Sequence, residues 1–160
     1  MHKIVKKKQL ADTITLLKVE APLAVREAQA GQFVIVRLDE FAERIPLTIC
    51  DADKARGTIT LIIQQLGRST QDLCALKEGD SITDVLGPLG NPTEIEKFGT
   101  VVIIGGGVGV AELYTAAKAL KESGNKVVVV IGARNKGLIR LEDELRAIAD
   151  EVLITTDDGS

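Results

Sequence analysis

Two patterns of apolar and polar residues divide the chain near residues 97–100. Before this point, short apolar runs are separated by Gly, Pro and Asp, which predicts short β-strands joined by turns. The predicted strands cover residues 13–19, 32–38, 45–50, 58–66 and 81–86. Short strands at this spacing are typical of a small β-barrel.

After residue 100, apolar strands alternate with helices. Strands are predicted at residues 101–104, 126–131 and 152–155, and helices at about 111–122 and 140–150. Apolar residues recur at i, i+3, i+4 and i+7 in the first helix, and Gly124 follows as its C-terminal cap. This alternation predicts parallel βαβ units. We therefore expect two domains, residues 1–97 and 98–160.

Composition is that of an ordinary globular protein. Of the 160 residues, 45% are hydrophobic, which is enough for a packed core. A formal charge of −3 and only three Phe and one Tyr give no attraction to nucleic acid and no stacking platform, so we expect no nucleic-acid partner. Apolar runs are short and no secretory leader opens the chain, which favours a soluble, cytoplasmic protein without a membrane partner.

Thiols and imidazole offer little chemistry. Cys50 and Cys74 are too few for a four-thiolate zinc or iron–sulfur site and too far apart for a C-x-x-C pair, so no metal site is expected. We expect both to be buried as small apolar residues. His2 lies at the terminus, where chains fray, and has no expected catalytic role. Residues 6–8, all lysine, are expected to be a solvated run.

A glycine-rich turn after the first parallel strand is the clearest candidate for chemistry. The segment 101–111 reads V-V-I-I-G-G-G-V-G-V-A and passes from an apolar strand into a helix. Glycines permit close backbone approach, and the free amides of a helix N-terminus attract phosphate. The usual G-x-G-x-x-G/A fingerprint fits imperfectly, because Val110 or Glu112 takes its third position. A tight turn without a ligand is the alternative interpretation.

Five motifs, taken in order, resemble those of the ferredoxin–NADP reductase superfamily. They are residues 30–33 (A-G-Q-F), 44–49 (R-I-P-L-T-I), 67–70 (G-R-S-T), 87–90 (G-P-L-G) and 105–111 (G-G-G-V-G-V-A). The residues of these motifs are most similar to those of FAD-binding subunits of the dihydroorotate dehydrogenase electron-transfer and sulfide dehydrogenase type. The resemblance implies a β-barrel plus α/β fold: a six-stranded antiparallel FAD-binding barrel, then a parallel Rossmann-like nucleotide-binding sheet.

The resemblance assigns FAD to the first domain. Thr48 would hydrogen-bond flavin N5 and is the candidate catalytic residue. Arg44 would pair with the flavin diphosphate, although many relatives have their arginine at the position of Ile45. Ser69 and Thr70 would open a helix over residues 71–77 whose amides hold the diphosphate. The other FAD candidates are Pro46, Leu47, Ile62, Ile63, Gln64 and Gly67.

Each FAD candidate also has an ordinary structural interpretation. Thr48 is alternatively an ordinary threonine of a β-strand with no ligand, and Arg44 alternatively forms only a surface ion pair. Ser69 and Thr70 are compatible with helix capping alone. The apolar residues of the strand that precedes this helix are compatible with the core.

The resemblance assigns NAD(P)H to the second domain. The candidates in the glycine loop are Gly105, Gly106, Gly107, Val108 and Gly109, and those after the third parallel strand are Asp157, Asp158 and Gly159. Arg134 follows the second strand and would pair with the 2′-phosphate of NADPH, whereas a classical NAD site has an acid there. A solvent-facing arginine and a simple polar turn are the alternatives.

The implied function is that of a FAD-dependent oxidoreductase subunit. It would pass hydride between NAD(P)H and flavin and then electrons to an iron–sulfur partner. The implied partners are a larger flavin and iron–sulfur oxidoreductase subunit and a ferredoxin-type electron carrier. Two alternatives stay open: a flavin-binding scaffold module without catalysis, and an NAD-binding dehydrogenase without flavin.

The sequence departs from the family pattern in two places. Glu112 stands where relatives usually have Pro. The sequence ends after three parallel strands, where relatives continue with two more strands and a cysteine-rich tail that holds a [2Fe–2S] cluster. We therefore expect that cluster only in a longer form or in a partner. We also expect a truncated sheet with an unpaired face or edge, which would lead to homodimerisation, disorder or weak nucleotide binding. Full hydride-transfer turnover is expected to be absent.

Overall fold

Alternating apolar residues in the N-terminal part of the chain form antiparallel strands. The computed structural model describes the backbone of residues 1–160 and every side chain except that of Val108. The chain divides into two units, Met1–Pro92 and Thr93–Ser160. The elements of the first unit are β1 (His2–Ala11), β2 (Ile14–Glu20), α1 (Pro22–Glu27), β3 (Phe33–Arg37), β4 (Ile45–Thr48), β5 (Asp51–Asp53), β6 (Thr58–Gln64), α2 (Arg68–Ala75), β7 (Ser81–Ile82) and β8 (Asp84–Leu89).

The strands of the first unit form two antiparallel sheets over the described residues, in the orders β5-β6-β2-β1-β7 and β4-β3-β8. In both sheets, alternate residues point into one apolar cluster. Strand β3 contributes Val34 and Val36 to this cluster, and β6 contributes Leu61 and Ile63. The expected antiparallel β class is confirmed. The described strands number eight rather than six, because the short β5 and β7 extend the edges of the first sheet.

The sequence prediction omits β1 and is wrong about two residues on it. His2 is not frayed, since it pairs with Ile82 and its Nδ1 lies 2.9 Å from the carbonyl oxygen of Glu20. Lys7 is half-buried rather than solvated, and its Nζ donates to the carbonyl oxygen of Leu76, 2.8 Å away, and to that of Cys74. This ammonium lies at the C-terminal end of α2, where a cation is favoured by the helix dipole.

Helix α2 begins earlier than the sequence predicts. It starts at Arg68 instead of residue 71 and ends at Ala75, so Ser69 and Thr70 lie inside its first turn. Gly67 is the N-cap residue and has extended backbone. The sequence prediction also omits α1, which opens with a proline that suits a first helical turn.

The second unit is built on a parallel sheet. Its elements are β9 (Thr100–Gly106), α3 (Val110–Glu122), β10 (Lys126–Ala133), α4 (Glu142–Arg146) and β11 (Glu151–Thr156), and the strand order is β11-β10-β9. This confirms the predicted βαβ alternation. Helix α4 is shorter than the predicted 140–150. It begins only at Glu142, because Leu141 takes a left-handed φ of 56° just before it, and it ends at Arg146.

The two faces of the parallel sheet differ. On the face that packs with α3 and α4, Val127, Val129 and Ile131 are fully buried. On the opposite face, Ile104 is 72% and Leu153 is 48% exposed. This second face therefore presents apolar side chains to solvent.

A glycine cap and a buried amide fix the junction between α3 and β10. Gly124 has φ of 82° and donates to Lys121 O, while the amide of Asn125 donates to Leu120 O. These two bonds form a Schellman motif, which confirms the predicted cap.

Lys121 in the last turn of α3 forms an ion pair with Asp150, with 2.6 Å between Nζ and Oδ1. Hydrogen bonds from the Lys121 ammonium and from a strand amide lower the pKa of the Asp150 carboxyl below its usual value.

The side chain of Asn125 is 3% exposed and fully hydrogen-bonded. Its Oδ1 accepts from the amides of Phe98 and Gly99, at 2.7 and 3.0 Å. Its Nδ2 donates to the carbonyl oxygens of Glu96 and Leu120, at 2.7 and 2.8 Å. One amide therefore ties the end of α3 to the segment that leads into β9.

We expect Asn125→Ala to lower the free energy of unfolding by about 3 kcal/mol, because it leaves several backbone groups without partners. Urea unfolding followed by circular dichroism measures this loss. Asn135→Ala, which removes an exposed amide in the same unit, serves as the control and should cost no more than about 0.5 kcal/mol. An equal loss of unfolding free energy in both variants would contradict the stabilising role assigned to Asn125.

Candidate functional site

Pro46 and Thr48 share the outer face of the sheet β4-β3-β8. In the antiparallel register, Thr48 lies opposite Phe33 and Pro46 lies opposite Ile35. Directly opposed residues project to the same face, and the residues of β3 between them point into the core. Leu86, which is 51% exposed, pairs with Ile35 from the other side. The result is an outward apolar surface that carries one hydroxyl.

Leu47 has the opposite orientation. It lies opposite Val34, which is fully buried, and it packs against the core of the first unit. The same alternation separates the candidates on β6. The side chain of Ile63 is 1% exposed in the core, whereas Ile62 and Gln64 are half-buried on the other face of the strand. Ile63 is thus a core side chain, as the structural interpretation of its strand predicts, and half-buried Leu47 packs against that core.

The first turn of α2 combines a fixed loop with unused amides. The hydroxyl of Thr70 accepts from the amides of Leu66 and Gly67, at 3.0 and 3.1 Å, and donates to Gly67 O at 2.8 Å. Thr70 therefore shapes the turn itself. Among the described residues, no hydrogen bond uses the amides of Arg68, Ser69 or Thr70. Such amides at a helix N-terminus suit an anion.

A carboxylate links this turn to the strand that carries Thr48. Ser69 Oγ donates to Glu43 Oε2 at 2.5 Å, and Glu43 directly precedes Arg44. The bond brings the segment that carries Arg44 to the first turn of α2. Arg44 is exposed and forms no ion pair within the described part of the chain. Sequence analysis misses Glu43, because an acid in an irregular segment follows no periodic pattern.

A pocket of about 390 Å³ lies between α2 and the segment 38–45. Asp39, Glu43 and Asp72 line it together with Arg68, whose Nε is 3.7 Å from Asp72. Three carboxylates against one guanidinium make this pocket unfavourable for a phosphate. An anion is therefore disfavoured inside the pocket.

The glycines of the loop in the second unit differ in whether the fold itself requires them. A Cβ on Gly105 would lie 2.3 Å from Leu113 Cδ1, so a side chain there would have to displace Leu113. Gly107 has a left-handed φ of 58°, which the turn into α3 requires. Gly106 and Gly109 have neither constraint, and an added Cβ would meet ordinary contact or open space. The side chain of Val108 lies outside the described residues.

The three parallel strands bring the other nucleotide candidates to the same edge. Gly106, Gly132 and Thr155 are register neighbours, so the loop after each strand begins at the carboxyl edge of the sheet. This edge is where open α/β sheets bind ligands. Exposed Arg134 follows β10, and Asp158 after β11 donates its amide to Arg134 O at 3.3 Å.

Residues 157–160 form a turn beside this edge. The amide of Asp157 donates to Ala133 O at 3.1 Å. The Asp158 carboxylate accepts from the Ser160 amide at 3.0 Å, and hydrogen bonds from Ser160 lower the pKa of Asp158. The structure therefore brings together Arg134, the acidic turn with Gly159, and the glycine loop.

Both thiols are removed from solvent. Cys50 and Cys74 are buried, as expected. In the residues that the structure describes, no group of His, Cys, Asp and Glu side chains has a metal-binding arrangement. No helix in the described part of the chain has the length and apolar content needed to cross a membrane.

Comparison with known proteins supports the resemblance seen in the motifs. No family model matches the chain. The chain is 48% identical over 160 residues to the dihydroorotate dehydrogenase B (NAD⁺) electron transfer subunit homolog of Thermotoga maritima, covering 100% of this chain and 56% of that protein. It is 39% identical over 157 residues to the dihydroorotate dehydrogenase B electron transfer subunit of Bacillus caldolyticus, covering 94% and 60%. The chain thus spans little more than half the length of these relatives.

Solved structures give the same result. The structure of an NADH-dependent reduced ferredoxin–NADP oxidoreductase matches with a TM-score of 0.94 and 46% identity, over 100% of this chain and 58% of that one. Phthalate dioxygenase reductase matches with a TM-score of 0.82 over 100% and 52% of the two chains. At 20% identity, the second match shows a shared fold.

The glycine loop yields a stability prediction. We expect Gly105→Ala to lower the free energy of unfolding by about 2 kcal/mol, because the new methyl group displaces Leu113. Gly109→Ala should change it by less than about 0.5 kcal/mol, since φ is −60° there and the space is open. Urea unfolding measures both. In a Leu113→Ala background the effect of Gly105→Ala should vanish, and its persistence would refute the packing argument.

Proposed function

Because this chain belongs to the ferredoxin–NADP reductase superfamily, we propose that it is the part of an electron transfer subunit that holds FAD and accepts hydride from NAD(P)H. One observation carries this proposal: Thr48 and Pro46 stand together on an outward apolar sheet face, in the unit whose helix α2 offers unused amides. This combination provides a surface for a flat ring and a separate position for its phosphates.

The outer face of β4 suits the flavin ring. Pro46 and its neighbours on β3 and β8 supply apolar area on which an aromatic ring system would be desolvated. The Thr48 hydroxyl would donate a hydrogen bond to ring nitrogen N5 without changing its own charge. No acid or base on the protein is needed, because positioning and orientation supply the rate enhancement.

The first turn of α2 suits the flavin diphosphate. The amides of Arg68, Ser69 and Thr70 would donate to phosphate oxygens, and the helix dipole favours the negative charge. Gly67 leaves open space where a side chain would otherwise stand. Arg44, exposed and without an ion-pair partner in the described residues, would add a guanidinium. Bound FAD supplies the redox chemistry, which is hydride acceptance followed by single-electron release.

The carboxyl edge of the parallel sheet suits NAD(P)H. Gly106 and Gly109 are glycines that the fold itself does not demand, so a close nucleotide phosphate explains them. Arg134 would pair with a 2′-phosphate, which favours NADPH. The turn at residues 157–159 would contact the same nucleotide from the neighbouring strand.

Partners follow from the electron path. We infer a larger flavin and iron–sulfur oxidoreductase subunit and a ferredoxin-type carrier, since electrons that leave flavin singly need a one-electron acceptor. The relatives named as electron transfer subunits support this inference.

An absorption spectrum tests the flavin site. After incubation with FAD and gel filtration, we expect the protein to retain a structured visible flavin band near one FAD per chain. Subsequent anaerobic addition of NADH or NADPH should bleach this band in a single turnover. A folded but colourless protein would refute the proposal, and a coloured protein that neither nucleotide bleaches would favour a scaffold role.

Replacement of Thr48 tests the catalytic assignment. We expect Thr48→Val to retain FAD but to be reduced by NAD(P)H about tenfold more slowly, because a hydrogen bond of about 1.4 kcal/mol to N5 is lost. Anaerobic stopped-flow absorbance measures the rate, with dithionite as a reductant that should treat both proteins alike. Thr48→Ser, which keeps the hydroxyl, should react close to the original rate. Equal rates for Thr48→Val and the unaltered protein would exclude this role.

A further inference from the structure

We propose that Glu43 is a positioning residue for the flavin diphosphate, because its bond to Ser69 holds Arg44 at the first turn of α2. This inference rests on the proposed FAD site. Glu43 itself would not contact the flavin phosphates, and its role is to fix the backbone from which the guanidinium extends.

The bond between Glu43 and Ser69 is short and has a charged acceptor. Its length of 2.5 Å is typical of a hydroxyl that donates to a carboxylate, which is stronger than a bond between neutral groups. The carboxylate lies at the N-terminal turn of α2, where the helix dipole favours a negative charge. Both effects hold Glu43 against α2.

The segment before β4 has few other polar ties to the helix. Asp39 Oδ1 accepts from the amides of Phe41 and Ala42, at 2.8 and 2.9 Å, which organises the turn within the segment itself. Within the described part of the chain, the hydrogen bond that joins residues 38–44 to α2 is that of Glu43. Loss of this bond would leave the segment attached to α2 by apolar packing around the pocket.

Side-chain alternation gives Glu43 and Arg44 different directions. Ile45 lines the pocket beside α2, together with Glu43 and Ser69. Pro46 lies on the outer face of the sheet, opposite Ile35. A period of two extended back from β4 places Arg44 on the outer face with Pro46 and Thr48. Glu43 can therefore anchor the backbone on the pocket side while Arg44 meets an anion on the solvent side.

The acidic pocket supports the different roles of Glu43 and Arg44. Asp39 and Asp72 share its lining with Glu43, so a diphosphate inside it would meet three carboxylates. The first-turn amides of α2 have no hydrogen-bond partner among the described residues, and Arg44 is exposed and does not line the pocket. Glu43 would therefore hold the backbone from the pocket lining while Arg44 meets the anion outside it.

Substitutions at Glu43 and Arg44 test this role through the affinity for FAD, measured by the quenching of flavin fluorescence. We expect Glu43→Ala to weaken FAD binding about tenfold, the loss of one charge-assisted hydrogen bond. Glu43→Gln should recover most of the affinity, since its amide oxygen still accepts from Ser69. Glu40→Ala, which removes an exposed acid from the same segment, is the matched control and should bind FAD normally.

A double substitution separates positioning from general stability. If Glu43 acts through Arg44, the variant Glu43→Ala/Arg44→Ala should bind FAD no more weakly than Arg44→Ala alone. Ser69→Ala should reproduce the loss seen in Glu43→Ala and should not add to it. Thermal unfolding by circular dichroism confirms that each variant is folded.

Four results would overturn the inference. They are normal or tighter FAD binding by Glu43→Ala, an equal loss in Glu43→Gln, additive losses in the double variant, and failure of the unaltered protein to bind FAD. The last result would refute the proposed function as well. The first three would leave the FAD site intact and refute only the role of Glu43.

Discussion

The period of two along the strands is the constraint on which the rest of the structure depends. Because β3 and β6 must fill one apolar core with alternate residues, the intervening positions are forced outward. Thr48 and Pro46 owe their shared face to this rule, and Leu47 and Ile63 owe their contacts with the core to it. A shift of one residue in either register would exchange core and site residues.

Local pattern was sufficient for the elements with clear periodicity. The strands of the parallel sheet, helix α3 with its cap at Gly124, and the glycine loop all follow from short-range spacing of apolar residues and glycine. The pattern fails for β1, where lysines interrupt the alternation, and for α4, where the left-handed Leu141 delays the helix. The lysines of β1 do not by themselves indicate a strand, and nothing in the sequence around Leu141 indicates its left-handed conformation.

Long-range partners account for what the sequence could not predict about two polar side chains. Glu43 and Asn125 form hydrogen bonds to residues at least 26 positions away, apart from the bond of Asn125 to the nearby Leu120 O. The motifs indicate the segments of the candidate site, and the structure shows that neighbouring residues within one motif have different structural constraints. Within the glycine loop, Gly105 serves packing and Gly107 serves the turn, whereas Gly109 is unconstrained by either. Such distinctions need the positions of atoms that are distant in sequence.

Helix α2 is held from outside at both ends, by Glu43 at its first turn and by Lys7 at its last carbonyl oxygens. Eight residues are too few for a helix to persist in water without such support. Its order therefore depends on segments that lie 26 and nearly 70 residues earlier in the chain. During folding, closure of these long loops must precede a stable helix, which makes α2 a late element of high contact order.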